Sequence, residues 1–238
     1  MDQCKLCRQE ATLRKSHIVP EFVFKPVYDA DHSAVMFEAK KPRHGYRRKG
    51  FWNHLFCDAC EARFQRLEDY FADIWFSRPL RPQYLDGPIV RISGLDYNKF
   101  KLFHLSILWR ADVSGLEVFA DVSLGSHSEK LRRRILEDDP GAPDIYPITG
   151  LALKNTDGRF KDDLMLLPGG STIGGHHVYM MLFGGVFWAC AVSSHRQACP
   201  VPPNLQDDGS MTLFAQEWTA NSAVRNLAKQ LQAHFKKS

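Results

Sequence analysis

Two C-x-x-C pairs constrain this chain more than any other feature. Cys4 and Cys7 stand at the N-terminus, and Cys57 and Cys60 follow fifty residues later. A C-x-x-C knuckle aims two thiolates at one point, and two knuckles complete a tetrahedral S4 shell of the kind that suits zinc. A disulfide framework is the competing arrangement. It belongs to short secreted chains with a signal peptide, whereas this chain has 238 residues and its first residues, Met1 to Leu6, contain no apolar run. All four expected ligands are thiolates, so such a site is closed to substrate water. The spacing therefore predicts a structural Zn2+ that contributes to folding rather than to chemistry. Thiols kept for a metal, without an export signal, point to the cytoplasm.

The two knuckles enclose Ser16-His17-Ile18-Val19-Pro20 and a basic run. From Lys40 to Lys49 there are six Lys or Arg (Lys40, Lys41, Arg43, Arg47, Arg48 and Lys49) with His44 and no acid. Net charge is only +4, so composition does not mark a nucleic-acid binder. The clustering does, because a loop of this kind can lie along a phosphate backbone. The alternative is a solvated loop with no partner.

The pattern along the chain predicts an α+β protein. Residues 1–78 form a zinc-stapled module, and residues 79–238 form a mixed α+β domain that recognises a substrate or a protein partner. Arg78-Pro79-Leu80-Arg81-Pro82 separates them. In the first part, a short strand enters His17-Ile18-Val19 and a second covers 34–38. A helix from about Asp58 to Phe76 carries Phe64, Leu67, Phe71, Ile74 and Trp75 at helical spacing. Glu61 and Glu68 are seven apart and share one face of it. Glu68 falls at the edge of the apolar stripe, where a carboxylate needs a metal or a partner such as Arg63 or Arg66.

In the second part, Asp96 caps a helix over Tyr97–Val113 that is apolar on most sides and therefore buried. His104 and Arg110 on it read as hydrogen-bonded structural residues. A short helix starts at Ser126 or Ser128. Strands follow to Phe214, with a turn at Asn155–Gly158 and apolar runs on either side of Gly184-Gly185. An amphipathic helix is expected over 222–235. Cys190 reads as core. Cys199 with His195, His176 and His177 matches no knuckle spacing, and the glycine pairs at 169–170 and 174–175 lack the strand-to-helix setting of a phosphate loop. No apolar stretch is long enough for a membrane span.

The order C-x-x-C, S-H-I-V-P, then Leu55-Phe56-Cys57-Asp58-Ala59-Cys60-Glu61 resembles the HNH branch of the His-Me finger nucleases over about residues 1–76. The resemblance implies a ββα unit clasping a catalytic metal, with a Cys4 zinc knuckle holding it together. It implies a metal-dependent nuclease acting on nucleic acid, DNA foremost, and an effector of defence or of a mobile element. His17 would be the general base, since imidazole ionises near neutrality. Mg2+ or Mn2+ would neutralise the leaving group, on Glu61, Glu68 and Asn53 or His54. This chain departs from the family pattern in four places. Ser16 replaces the acid before the histidine, Glu61 replaces Asn or His after the last cysteine, Phe64 stands where a basic residue is common, and Asn53 is one residue out of register. A hydroxyl is a weak ligand for a hard cation. The second reading is therefore a catalytically inactive zinc module that binds nucleic acid or protein.

Overall fold

A computed structural model of the chain describes residues 2–28, 50–78, 82–85, 87–193, 202–220 and 222, together with the backbone of 34–38 and 41–47. The N-terminal part opens with β1 (Asp2–Gln3) and β2 (Glu10–Ala11), an antiparallel pair around the first knuckle. Arg8 closes that turn in the left-handed region, at φ +63°, and its N–H donates to the Cys4 carbonyl at 2.9 Å. Next comes β3 (Arg14–His17). It ends at His17 and does not run on through Val19, because Pro20 starts a 3-10 helix over Glu21–Val27. β4 (Ala34–Glu38) pairs antiparallel with β5 (Lys41–Arg47). The basic run expected as a loop is thus largely a strand. Lys40, Arg48 and Lys49 lie outside the described residues, as do the side chains of Lys41, Arg43 and Arg47.

β6 (Trp52–Phe56) pairs antiparallel with β3 in the register Lys15↔His54, Ser16↔Asn53 and His17↔Trp52. It leads through the second knuckle into α1 (Asp58–Ala72), whose Phe64, Leu67 and Phe71 are buried. The helix does not reach Phe76 as an α-helix. Asp73–Ser77 widens into a π-turn, and this turn delivers Trp75 to the sheet, where its indole donates to the Gly184 carbonyl at 2.9 Å.

After β7 (Gln83–Tyr84) and β8 (Ile89–Ile92) comes α2 (Tyr97–Val113). Asp96 caps it by accepting from the Lys99 N–H at 3.0 Å. Every residue from Phe100 to Ala111 is buried. α2 touches α1 on one side, with Phe71 and Phe103 stacked at 4.1 Å. It touches the sheet on the other, with Phe100 and His104 against Trp188. α3 (His127–Glu137) packs beside it. The remaining strands are β9 (Ile148–Lys154), β10 (Leu166–Ile173), β11 (His176–Phe183), β12 (Val186–Ala191) and β13 (Met211–Glu217). They complete a seven-stranded sheet in the order β10-β11-β12-β9-β13-β8-β7. All its pairings are antiparallel except β13 with β9.

Gly174-Gly175 and Gly184-Gly185 form the β10–β11 and β11–β12 turns with positive φ. Gly169-Gly170 lies within β10. The segment expected as a final helix lies outside the described residues from 223 onward, as do His195 and Cys199. One buried apolar cluster runs from Cys4 through α1 and α2 to Ala215, so the boundary near residue 78 leaves no break in the core. No helix among the described residues is long and apolar enough to cross a membrane.

Candidate metal centre and nucleic-acid interface

The β3/β6 pair and α1 bring the two knuckles together. Cys57 caps the start of α1, and Lys5 N–H donates to Leu55 O at 3.0 Å, clamping the first knuckle to the end of β6. The sulfurs of Cys4, Cys7, Cys57 and Cys60 all lie within 4.8 Å of one another. Cys7 and Cys57 sulfurs are 3.8 Å apart. Four sulfurs about 2.3 Å from a tetrahedral ion are separated by roughly 3.8 Å, so the cluster is placed to hold a metal ion such as zinc. Its electrostatics agree. Against burial, hydrogen bonds from the backbone of Cys7, Cys57 and Leu6 bring the Cys4 thiol down to about 7. Burial and the neighbouring thiols push Cys60 up. Four thiolates this close need a cation between them to ionise together.

The β3/β6 ribbon has two unlike faces, because directly paired residues share a side. Ser16 and Asn53 point inward. Ser16 is buried and its hydroxyl donates to Glu61 Oε1. Asn53 donates its amide to Ser114 O at 2.9 Å, at the end of α2, and accepts from the His54 N–H at 2.8 Å. That asparagine is a structural tie between ribbon and helix rather than a neighbour of the His17 ring. Lys15, His17, Trp52 and His54 share the outer face. Trp52 is 40% exposed. The Lys15 amine sits 4.2 Å from the centre of its ring, and the His54 ring meets it edge-on at 5.7 Å.

His17 stands at the end of this face with a third of its side chain exposed, and its Nε2 lies 3.7 Å from Glu21 Oε2. Glu21 is held by the Tyr28 hydroxyl and by the Gly50 N–H at 3.2 Å. Burial lowers the His17 pKa. Glu21 and Glu68 work against that shift, and Lys15 and Arg110 reinforce it. The imidazole is therefore neutral at neutral pH, the form a general base requires. Motif spacing alone misses Glu21, although it lies one turn after His17. It also misses Lys15 and Trp52, which strand alternation places on the face of His17.

The inner face holds the carboxylates, and both are engaged. Glu68 pairs with Arg110 at 2.6 Å. Arg63 and Arg66, the partners expected from sequence, reach Asp138 instead. The Arg110 guanidinium also donates to His17 O at 2.8 Å and lies over the Phe64 ring at 5.0 Å. Glu61 is half-buried, and burial raises its pKa although the Ser16 hydroxyl lowers it. Among the described residues, only the four cysteines bring three or more potential ligand atoms of His, Cys, Asp or Glu together. As placed, Glu61 accepts from Ser16, Glu68 is paired with Arg110 and Asn53 is turned to Ser114, whereas a hard cation wants several free carboxylate or carbonyl oxygens. Comparison with protein-family models, with curated proteins and with solved structures finds no match for this chain.

Proposed function

We propose that the chain is a zinc-stapled nucleic-acid-binding protein. Its N-terminal framework is of the His-Me finger kind, and its carboxylate site is given over to structural bonding. The outer face of the β3/β6 ribbon carries this reading. A half-exposed tryptophan offers a platform for a base, Lys15 and His54 flank it, and His17 borders it. A base stacked on an aromatic ring that carries a cation over one face suits nucleic acid without strong sequence preference. The basic run around β5 supplies phosphate contacts to the same partner. Zn2+ on Cys4, Cys7, Cys57 and Cys60 fixes the ribbon to α1.

The test is binding of labelled single- and double-stranded DNA and RNA by the zinc-loaded protein. Trp52→Ala is expected to weaken binding by about 5- to 150-fold, the equivalent of roughly 1–3 kcal/mol for one stacked base. Replacing Arg47, Arg48 and Lys49 with Gln is expected to flatten the salt dependence by about 0.7–0.9 for each phosphate no longer neutralised. Unchanged affinity in both variants would remove the reading.

A second reading, hydrolysis, rests on one observation: the His17 ring is a third exposed and set beside Glu21, in surroundings that favour its neutral form by burial. Here His17 would take the proton from an attacking water. Cleavage of any of these substrates that His17→Ala lowers by about 10²–10⁴-fold, with zinc content unchanged, would establish it over simple binding.

A further inference from the structure

Strand alternation puts four side chains at the corners of one patch on the outer face of the β3/β6 ribbon. Lys15 stands opposite His54, and His17 stands opposite Trp52. Their polar atoms are largely unspent. Among the described residues, neither the Lys15 amine, nor a ring nitrogen of His54, nor Nδ1 of His17 makes a hydrogen bond. The two imidazoles occupy diagonal corners, about 7–8 Å apart in a regular ribbon and within side-chain reach of a group lying between them. Lys15 is a neighbour of both. The Glu21 carboxylate, 3.7 Å from His17 Nε2, favours the tautomer with the proton on Nε2, which leaves the Nδ1 lone pair to accept one. Glu21 is itself held by the Tyr28 hydroxyl and the Gly50 N–H. Burial favours the neutral form of His17, which suits a base. His54 is the more exposed of the two rings, and the acid role falls to it.

We propose that this patch cleaves RNA by attack of a ribose 2′-hydroxyl on its own 3′-phosphate, with His17 as general base, His54 as general acid and Lys15 facing the charge that builds on the phosphate. The proposal rests on the ribbon face as a nucleic-acid platform and names RNA as its substrate class. The 2′-O–H proton passes to His17 as the 2′-O–P bond forms. The P–O5′ bond breaks, and His54 gives a proton to the departing 5′-oxygen. The products are a 2′,3′-cyclic phosphate and a 5′-hydroxyl, and solvent resets the two imidazoles. Attacking and leaving oxygens lie roughly in line across the phosphorus, so base and acid must stand on opposite sides of it, as diagonal corners do. A lysine aimed at the transferring group stabilises its developing charge. Because the nucleophile belongs to the substrate, this reaction makes no call on Glu61 or Glu68, which are engaged with Ser16 and Arg110. DNA lacks the 2′-hydroxyl and is bound without being cut.

The zinc-loaded full chain should be incubated with a single-stranded RNA oligonucleotide in buffer without added Mg2+ or Mn2+. Cleavage to 2′,3′-cyclic phosphate and 5′-hydroxyl ends is expected. One 2′-deoxynucleotide at a cut should abolish that cut while the oligonucleotide still binds. His17→Ala and His54→Ala, purified alongside, should each lower the rate about 10²–10⁴-fold at unchanged zinc content. Lys15→Gln should lower kcat by about 10²–10³-fold, whereas Trp52→Ala should act mainly on KM. A substrate with sulfur in place of the 5′-oxygen releases a thiolate that needs no proton. It should restore cutting by His54→Ala and not by His17→Ala. RNA binding that depends on Trp52 but brings no cleavage overturns this inference and leaves the binding reading standing, whereas failure to bind any nucleic acid removes both. Cleavage of the matching DNA, or RNA products with 5′-phosphate ends, makes water the nucleophile and overturns it. So does cleavage that His54→Ala leaves unchanged.

Discussion

Glu68→Gln separates a structural carboxylate from a metal ligand. In the native arrangement the Arg110 side chain is 3% exposed and Glu68 is 16% exposed. Arg110 Nη1 gives one proton to Glu68 at 2.6 Å and the other to His17 O at 2.8 Å, and Nε leans on Ser106 O at 3.3 Å. Only Glu68 in this set carries negative charge. Truncating one partner of a buried ion pair costs about 3–5 kcal/mol, because the other charge stays buried and unpaired. Glutamine keeps an acceptor oxygen, so the lower figure for a hydrogen bond to a charged group applies, about 2–3 kcal/mol. At about 2–4 °C per kcal/mol for a chain of this size, the midpoint should fall by roughly 4–12 °C. Replacing both partners, Glu68→Leu with Arg110→Met, should recover most of that loss, since apolar groups of similar volume often stand in for a buried pair. Thermal unfolding followed by circular dichroism, with and without added Mn2+, is the assay. A Glu68→Gln protein with an unchanged midpoint, and with impaired cleavage restored by Mn2+, would show that Glu68 is a metal ligand and that the account of Arg110 is mistaken.

Elemental analysis of the purified chain should find one zinc per molecule, and Cys60→Ser or a strong chelator should abolish cooperative unfolding of the whole chain, because the knuckles feed a single core. His104, fully buried, has its pKa lowered by burial to about 4. Stability is complete above the ordinary value of about 6.5 and falls as pH drops toward 4, by about 3 kcal/mol in total, because the unfolded chain takes up the proton first. Urea unfolding of the wild type and His104→Leu across pH 7 to 4.5 should show that this decline is steeper in the wild type, and equal slopes would refute it. Gly184 has φ +59°, and a Cβ there would sit 2.5 Å from Trp75 Nε1. Gly184→Ala should therefore cost clearly more than the roughly 1–2 kcal/mol expected for Gly115→Ala, where φ is +65° and nothing lies within 4 Å. Equal losses in chemical denaturation would mean that the close approach of Trp75 contributes nothing.

Local periodicity and ligand spacing are what the sequence makes legible. The C-x-x-C pairs, the Asp96 cap, the all-round apolar α2 and the turns at Asn155–Gly158 and Gly184-Gly185 follow from short stretches whose chemistry decides their shape. The partner of Glu68 does not, because Arg110 lies 42 residues away. Arg63 and Arg66 are close in sequence, but they turn to Asp138. The end of α1 is hidden because Ile74, Trp75 and Phe76 keep an apolar pattern through the π-turn. The widened turn sets Trp75 on Gly184, a partner 109 residues away that no local pattern announces. Six cations in ten residues resemble a solvated loop, whereas pairing with Ala34–Glu38 makes much of that segment a strand. The two faces of the ribbon depend on the register, since a one-residue slip would exchange Ser16 with His17.

The uninterrupted cluster from Cys4 to Ala215 decides how this protein can be divided. A cut after Arg78 would strip Phe71 of Phe103 and Phe183, Trp75 of Trp188, and Phe64 of Trp109. The released piece would expose a band of aromatic rings and invite aggregation. A genetic rearrangement that copied only the first 78 residues into another chain would deliver a sticky fragment instead of a working unit. The ribbon and the seven-stranded sheet are therefore constrained to travel together, and any fusion or reporter built on this protein has to be appended to the whole of it.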